Sequence, residues 1–368
     1  MTRNVTDPST AQPVGPPPPF DPELVPVLDV LTSARPPDAY RPDTIAEMRR
    51  PVPGVPAPTD DALSRDGAYR VEERTVPGPD GAPDVPLLLC LPRRAGAPVP
   101  ALYFIHGGGM IVGDNRFGLP EVLDLAAPLG MAVVSVEYRL APETPHPGPV
   151  EDSYAGLRWL SEHAGELGVD PGRVVVAGMS AGGGLAAGVA LLARDRGGPA
   201  IAGQMLLSPM LDDRGDSPSA HQMRGLGVWD SRSNRTGWDA LLGEGVRGGP
   251  DVPAYAAPAR AADLSGLPPT FVDVGSAETF RDEDVAFAGR LWQAGGRGEL
   301  HVWPGGFHGF DVVAPAAALS KDAIAARAAW LRRLLGATLA LGSSVLPTSD
   351  PCPAGADPAA LPDPCRAR

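Results

Sequence analysis

The feature that most constrains this sequence is the stretch from Arg173 to Gly184, which reads RVVVAGMSAGGG. Residues with high β propensity lead into a Gly-x-Ser-x-Gly pattern, and small residues follow it directly. We therefore predict a strand over Arg173–Ala177, a sharp turn, and a helix over Leu185–Arg196. Such a turn strains the backbone of Ser180 at its apex, so the flanking glycines are needed where a Cβ would collide. Alone, the stretch would also fit a glycine-rich turn with an incidental serine, and the rest of the chain must decide.

Strand-like and helix-like segments alternate along most of the sequence. The predicted strands are the short apolar or β-branched runs Ala68–Val76, Val85–Leu91, Ala101–Ile105, Met131–Val136, Arg173–Ala177, Ile201–Leu207, Thr270–Gly275 and Glu299–Trp303. The predicted helices are Asp21–Thr32, Asp43–Arg50, Leu119–Leu129, Val150–Leu167, Leu185–Arg196, Asp282–Ala294 and Pro315–Leu341. This alternation indicates an α/β fold with a mostly parallel central sheet and helices on both faces. Catalytic groups are then expected in loops at the carboxyl ends of the strands.

The alternation breaks at about residues 208–267, which we interpret as an insert. This segment contains many glycines, two tryptophans, and weakly helical stretches near Pro218–Gly225 and Gly237–Leu242. Together with the N-terminal helices, the insert is expected to form a cap over the functional site. The alternative is a surface excursion that has no part in the site.

The remaining domain boundaries follow from composition. Residues 1–19 are too rich in proline to pack and are predicted to be disordered. Residues 20–58 hold the N-terminal cap helices and a linker, and residues 59–341 form an α/β catalytic domain that carries the insert. Residues 342–368 form a low-complexity C-terminal tail.

The charge balance restricts the class of partner. The chain of 368 residues has a formal net charge of −13, which argues against nucleic acid or an anionic membrane as a partner. No apolar run reaches the length of a membrane span, and the polar, proline-rich N-terminus lacks the apolar core of a signal peptide. We therefore expect a cytoplasmic protein that acts on a small molecule, and the sequence leaves a homo-oligomer open.

The cysteines and histidines do not indicate a disulfide framework or a metal site. Cys90 lies in an apolar strand and is expected to be a small buried side chain. Cys352 and Cys365 lie in the tail, where either a disulfide between them or two reduced thiols would fit the sequence. The six histidines are scattered, without the spacing of a zinc motif.

A glycine loop follows the Ala101–Ile105 strand directly and reads HGGG over His106–Gly109. Hydrolysis of an acyl bond requires donors for a tetrahedral oxyanion, and backbone N–H groups serve well where no side chain blocks close approach. We expect Gly107 and Gly108, with the N–H of Ala181, to form this oxyanion hole. The strand in front makes a merely flexible loop the weaker interpretation, and the loop's histidine is expected to be structural.

The candidate general base is His308, in the glycine-rich loop that follows the last predicted strand. A serine hydroxyl becomes a good nucleophile only when a neighbouring imidazole accepts its proton. Four other histidines lie in a strand, a loop, a helix end and the insert, so they are assigned to packing or to the surface, with a place in a cap pocket left open for His221 of the insert. Three carboxylates compete for the orienting role near the end of the Thr270–Gly275 strand. They are Asp273 inside the strand, Glu278 in the following loop, and Asp282 at a helix start.

Four motifs in this order resemble those of the bacterial hormone-sensitive-lipase-like esterases, a branch of the α/β-hydrolases. They are the HGGG loop at His106–Gly109, YRLAPE at Tyr138–Glu143, GxSAGG at Gly178–Gly183, and the closing HGF at His308–Phe310. The resemblance covers about Asp21 to Leu341. It implies an α/β-hydrolase fold with a helical cap, and a carboxylesterase that hydrolyses short-to-medium acyl esters without a cofactor. It also implies a catalytic triad of Ser180, Glu278 and His308.

The sequence departs from this family at two places. Many members carry Asp where this chain has Met179, and an Asp-Pro-Leu acid segment where it has Glu278-Thr279-Phe280. Either carboxylate can orient an imidazole. Arg139 and Glu143 are expected to form an ion pair or to brace the turn between them. Two alternatives remain for the activity: a hydrolase of a specific lactone, amide or acetylated natural product, or a non-catalytic binding protein like the gibberellin receptors of plants.

Overall fold

The structure is a computed structural model that describes residues 14–36, 39–50, 57–93 and 96–343. The predictions for residues 1–13, for residues 51–56 of the linker, and for the tail with Cys352 and Cys365 lie outside the described residues. None of the helices in the described ranges has both the length and the apolar character that a membrane crossing requires.

Within these ranges, eight strands form one sheet in the spatial order β1-β2-β4-β3-β5-β6-β7-β8. The strands are β1 (Tyr69–Val76), β2 (Val85–Pro92), β3 (Val99–Ile105), β4 (Ala132–Val136), β5 (Val169–Met179), β6 (Gly203–Leu207), β7 (Thr270–Gly275) and β8 (Gly298–Trp303). Strand β2 pairs antiparallel with both β1 and β4, and every other pair is parallel. The predicted fold class, an α/β fold with a mostly parallel sheet, is confirmed.

Helices cover both faces of the sheet. They are α1 (Val25–Ala34), α2 (Ile45–Met48), α3 (Asp60–Leu63), α4 (Leu119–Ala126), α5 (Gly148–Glu162), α6 (Ala164–Leu167), α7 (Ala181–Arg196), α8 (Pro218–Gln222), α9 (Ser231–Leu242), α10 (Arg281–Gln293), α11 (Phe310–Val313) and α12 (Ala318–Ser343). The predicted single helix over Val150–Leu167 is divided at His163, so that α5 and α6 are separate. The helix predicted from Leu185 begins earlier, at Ala181, because the glycine run forms its first turn.

Alternate residues of the central strands enter two separate cores, as the period of a strand requires. In β3, Tyr103 and Ile105 pack with α5 and α7 on one face, whereas Leu102 and Phe104 pack with α4 and α12 on the other. All four side chains are almost completely buried. The sheet is therefore a rigid platform that fixes where the strand ends meet.

The expected ion pair between Arg139 and Glu143 does not form. Arg139 donates to the buried carboxylate of Asp152, with Nε 2.8 Å from Oδ2 and Nη2 2.7 Å from Oδ1. A buried carboxylate has no water to solvate it, so its need for a cation determines the partner of Arg139. Glu143 pairs instead with Arg49 of the N-terminal segment, with Nη2 2.8 Å from Oε2.

Candidate active site

Ser180 lies at the junction of β5 and α7 with φ 59° and ψ −122°, a strained conformation for a residue with a side chain. The glycines on either side permit the turn. A Cβ on Gly178 would lie 2.1 Å from the carbonyl oxygen of Gly182, and one on Gly182 would lie 2.0 Å from that of Ile105. The helix and the strand therefore approach closely only because both positions are glycine.

The side chains of Ser180, His308 and Glu278 form one hydrogen-bonded chain. The Nε2 atom of His308 lies 2.9 Å from Oγ of Ser180, and its Nδ1 lies 3.1 Å from Oε1 of Glu278. A carboxylate only accepts, so Nδ1 carries the proton and Nε2 faces the hydroxyl as an acceptor. This arrangement allows the imidazole to remove the proton of Ser180.

Glu278 is held by two further donors. Its second oxygen, Oε2, accepts from Oγ of Ser208 at 2.9 Å and from the backbone N–H of Gly275 at 3.0 Å. The residue is 1% exposed, so its carboxylate depends on these partners and on His308. Sequence analysis missed Ser208. Its place directly after β6, at the carboxyl end of a strand, was the signal that could have found it.

The other two candidate carboxylates have different partners. Asp273 accepts from Nε of Arg327 at 2.7 Å and from Nε1 of Trp303 at 3.2 Å. Asp282 accepts from the N–H of Ser219 at 2.7 Å and pairs with the neighbouring Arg281. Of the three, Glu278 is the carboxylate that contacts the imidazole of His308.

The N-terminal segment packs against the loop that carries His308. The N–H of Asp21 donates to the carbonyl of Gly305 at 3.0 Å, and the Phe20 ring meets the Phe307 ring edge-on at 6.3 Å. Phe280 makes an edge contact with His308 itself, with ring centroids 5.1 Å apart. The imidazole is thus positioned by packing as well as by its hydrogen bonds.

The glycine loop lies against the nucleophile turn. A Cβ on Gly107 would lie 3.3 Å from Cβ of Ser180, and one on Gly108, at φ +103°, would lie 2.1 Å from the carbonyl oxygen of Val112. Among the described residues, no hydrogen-bond acceptor engages the N–H groups of Gly107, Gly108 or Ala181. These three donors remain available beside the Ser180 hydroxyl, so they could bind an oxyanion.

His106, the first residue of the glycine loop, packs against Tyr138 and stays neutral. Its ring stacks on Tyr138 with centroids 4.2 Å apart, and its Nδ1 donates to the Gly107 carbonyl at 2.8 Å. The Tyr138 hydroxyl donates to the carbonyl of His106 at 3.0 Å. Burial lowers the pKa of His106 from 6.5 to about 4, since the charged imidazolium would lose its hydration.

Two aromatic side chains from separate parts of the chain cover the glycine loop. A Cβ on Gly109 would lie 2.3 Å from the ring of Trp229, which belongs to the segment between β6 and β7. The Trp229 ring in turn meets Tyr40, from the N-terminal segment, at 5.0 Å. The Trp229 carbonyl also accepts from Oγ1 of Thr279, next to Glu278, at 2.9 Å.

Comparisons with known proteins place this chain in a family. The sequence profile of a family described as alpha/beta hydrolase fold matches residues 102–312. Carboxylesterase NlhH of Mycobacterium tuberculosis is 40% identical to this chain over 257 residues, which cover 68% of this chain and 79% of that protein. Esterase LipI of the same organism is 38% identical over 229 residues, which cover 61% of this chain and 70% of that protein.

Solved structures of esterases have the same architecture. The structure described as a bacterial heroin esterase is similar with a TM-score of 0.74 and 41% identity, covering 86% of this chain and 98% of that one. Esterase LipW from Mycobacterium marinum is similar with a TM-score of 0.71 and 30% identity, covering 87% of this chain and 98% of that one.

Proposed function

This chain belongs to the α/β-hydrolase family and is a carboxylesterase, and from that premise we propose that Ser180, His308 and Glu278 form its catalytic triad. The observation that carries the proposal is the continuous chain of two hydrogen bonds from Glu278 through His308 to Ser180. The proposed substrates are short-to-medium acyl esters.

The mechanism follows from the atoms that face one another. Oγ of Ser180 attacks the ester carbonyl carbon while Nε2 of His308 accepts the hydroxyl proton, which gives a tetrahedral oxyanion. The oxyanion accepts hydrogen bonds from the N–H groups of Gly107, Gly108 and Ala181. The imidazolium then protonates the leaving alcohol as the carbon–oxygen bond breaks, and the acyl group remains on Ser180.

Water completes the cycle by the same relay. His308 removes a proton from the water molecule as its oxygen attacks the acyl carbon, and the proton passes to Oγ of Ser180 as the carboxylic acid leaves. Glu278 holds the imidazole in the productive tautomer and stabilises the imidazolium of both half-reactions. Loss of such a carboxylate lowers kcat by a factor of about 10⁴ in enzymes of this type.

We further propose that the cap consists of residues 20–58 and the insert at about 208–267, above a catalytic domain of residues 59–341. The contact of Tyr40 with Trp229, and that of Trp229 with the glycine loop, support this division. A cap leaves a pocket of finite length. Each buried CH₂ adds about 0.8 kcal/mol of binding, so catalytic efficiency should rise to about four to eight acyl carbons and then fall.

A panel of p-nitrophenyl esters from acetate to laurate tests this proposal, with a lactone and an anilide measured beside it. We expect saturable hydrolysis with the best kcat/KM among the short-to-medium esters. A preference for the lactone or the anilide would replace the ester assignment, and best activity on long-chain triglyceride emulsions would indicate a lipase.

The nucleophile is tested separately by a single substitution and a covalent probe. The Ser180→Ala variant is expected to fold, and its activity should be lower than that of the wild type by a factor of about 10⁴–10⁶. A fluorophosphonate should label Ser180 in the wild-type protein. Retention of more than about a tenth of the activity, or the absence of labelling, would reject the serine mechanism. A wild-type protein that shows neither ester hydrolysis nor labelling would favour a non-catalytic binding protein.

A further inference from the structure

A cavity lies in the segment between β6 and β7, apart from the candidate active site. Its volume is about 360 Å³, within the range of cavities that hold small organic ligands. Its lining contains none of Ser180, His308, Glu278 or the glycine loop. Four of the nine lining residues are arginines and none is acidic, in a chain whose net charge is −13.

Helix α9 contributes two buried residues to the cavity lining, and each carries one polar atom without a partner among the described residues. Trp238 is completely buried, and among the described residues its indole Nε1–H has no acceptor. Asn234, one helical turn earlier, is 2% exposed, and its Oδ1 likewise has no donor within the described ranges. Both residues line the cavity. Both atoms are closed to water, so these two residues form the inner wall of the cavity, and the contacts to a ligand come from the arginines.

Two of the four arginines have hydrogen-bond partners within the protein, and the other two have none among the described residues. Nε of Arg232 donates to the buried Asp230 at 2.9 Å, and Arg247 donates to Asp239 and to the carbonyls of Asp213 and Arg214. The lining also includes Arg224 and Arg235. Both are exposed, and neither guanidinium group has a hydrogen-bond or ion-pair partner among the described residues. Two of the four guanidinium groups at the cavity are therefore not paired with an acid among the described residues.

We propose that this cavity binds a small organic molecule through an oxyanion group, a carboxylate or a phosphate. A guanidinium group presents paired N–H donors that match the two oxygens of such a group. Arg224 and Arg235 supply the unengaged donors. The volume exceeds what a bare ion needs, so the ligand carries an organic part as well. This inference does not depend on the proposed hydrolysis.

Isothermal titration of the full chain tests the proposal with three probes: butyrate, inorganic phosphate and neutral butyramide. We expect saturable binding of at least one anion and none of butyramide. Binding of butyrate alone identifies a carboxylate ligand, and binding of phosphate alone identifies a phosphate ligand. An absence of saturable binding for both anions at about 10 mM, a concentration that detects even millimolar affinity, would overturn the proposal.

Variants locate the binding within the molecule. The double substitution Arg224→Gln with Arg235→Gln should weaken anion binding about tenfold or more, because it removes donors to a charged group. Arg158→Gln, an exposed arginine on α5, is the matched control and should bind as wild type does. Circular dichroism and thermal melting confirm that each variant folds.

Two further measurements separate this site from the active site. Ser180→Ala should bind the anion with wild-type affinity, and the double arginine variant should keep wild-type activity on a neutral ester. If the double variant binds the anion as tightly as wild type, the anion occupies another site and the proposal is wrong. An inactive wild-type enzyme would reject the proposed function without affecting this result.

Discussion

The buried carboxylate of Asp273 on β7 accepts a 2.7 Å hydrogen bond from Nε of Arg327 on α12. The same guanidinium group also bonds Asp311, so one buried cation joins two acids. The pair connects β7, the strand next to one edge of the sheet, to α12. It also engages the carboxylate that competes with Glu278 for the orienting role, so that Asp273 has a structural function.

This buried pair should matter to stability. Asp273→Asn is expected to lower the free energy of unfolding by about 3–5 kcal/mol, because it leaves part of a buried positive charge unpaired. Arg333→Gln is the control, since the pair of Arg333 with Glu299 is exposed and should contribute less than about 1 kcal/mol. Urea denaturation of both variants measures the difference. If both substitutions lower the free energy of unfolding equally, burial of the ion pair does not determine how much it contributes to stability.

The roles of Glu278 and Asp282 can be separated by kinetics. Glu278→Gln should lower kcat by about 10⁴, because the imidazole of His308 loses its orienting carboxylate. Asp282→Asn should cost about 1 kcal/mol of stability and less than about tenfold in kcat, since Asp282 bonds Ser219 and Arg281 rather than His308. If Asp282→Asn is the inactive variant and Glu278→Gln is not, the assignment of the triad acid is wrong.

His106 should make the protein less stable in mild acid. Its pKa is lowered from 6.5 to about 4 by burial, so between these values the unfolded chain binds more protons than the folded one. Stability is then lost as the pH falls through this window, by about 3 kcal/mol in full. His106→Asn keeps a side-chain donor but cannot titrate. Its unfolding free energy should change less between pH 7 and pH 5, and parallel pH profiles would contradict the prediction.

Asp284 should have the opposite effect on the pH dependence of stability: it should make the protein less stable as the pH rises. Burial, with a further contribution from Glu283, raises the pKa of Asp284 well above 3.8, and neither carboxylate oxygen has a partner among the described residues. The folded state therefore holds a proton that the unfolded state releases, and stability is lost as the pH rises above 3.8. Asp284→Asn removes this titration. Its stability relative to wild type should rise by about 1.4 kcal/mol per pH unit in that window, and a constant difference from pH 5 to pH 8 would refute this.

Truncation tests the two-part cap. Removal of residues 1–19 should change activity little. Removal of residues 1–50 also deletes Tyr40 and the buried Leu24 and Leu28, which pack against Trp229 and against the loop of His308. The longer truncation should expose apolar surface, measured by binding of a hydrophobic dye, and should change the acyl-chain preference. A 1–50 truncation that matches wild type in both measurements would exclude the N-terminal helices from the cap.

Local sequence determined the sheet and the turns around the site. The strand Thr270–Gly275 has the predicted bounds, and the glycines around Ser180 were predicted from the steric needs of one sharp turn. Helix boundaries were less predictable. α7 begins at Ala181, before the predicted start at Leu185, because the N–H of Gly184 donates to the Ser180 carbonyl and extends the helix over a glycine-rich first turn that propensity disfavours.

Only the tertiary structure decided which polar groups meet. Arg139 bonds Asp152 and Glu143 bonds Arg49, although the sequence placed Arg139 and Glu143 side by side in one motif. The support of Glu278 by Ser208, 70 residues away, leaves no periodic signal in the chain. Propensity and steric rules act over a few residues. The partner of a buried charge depends instead on which groups the whole sheet brings within 3 Å and shields from water.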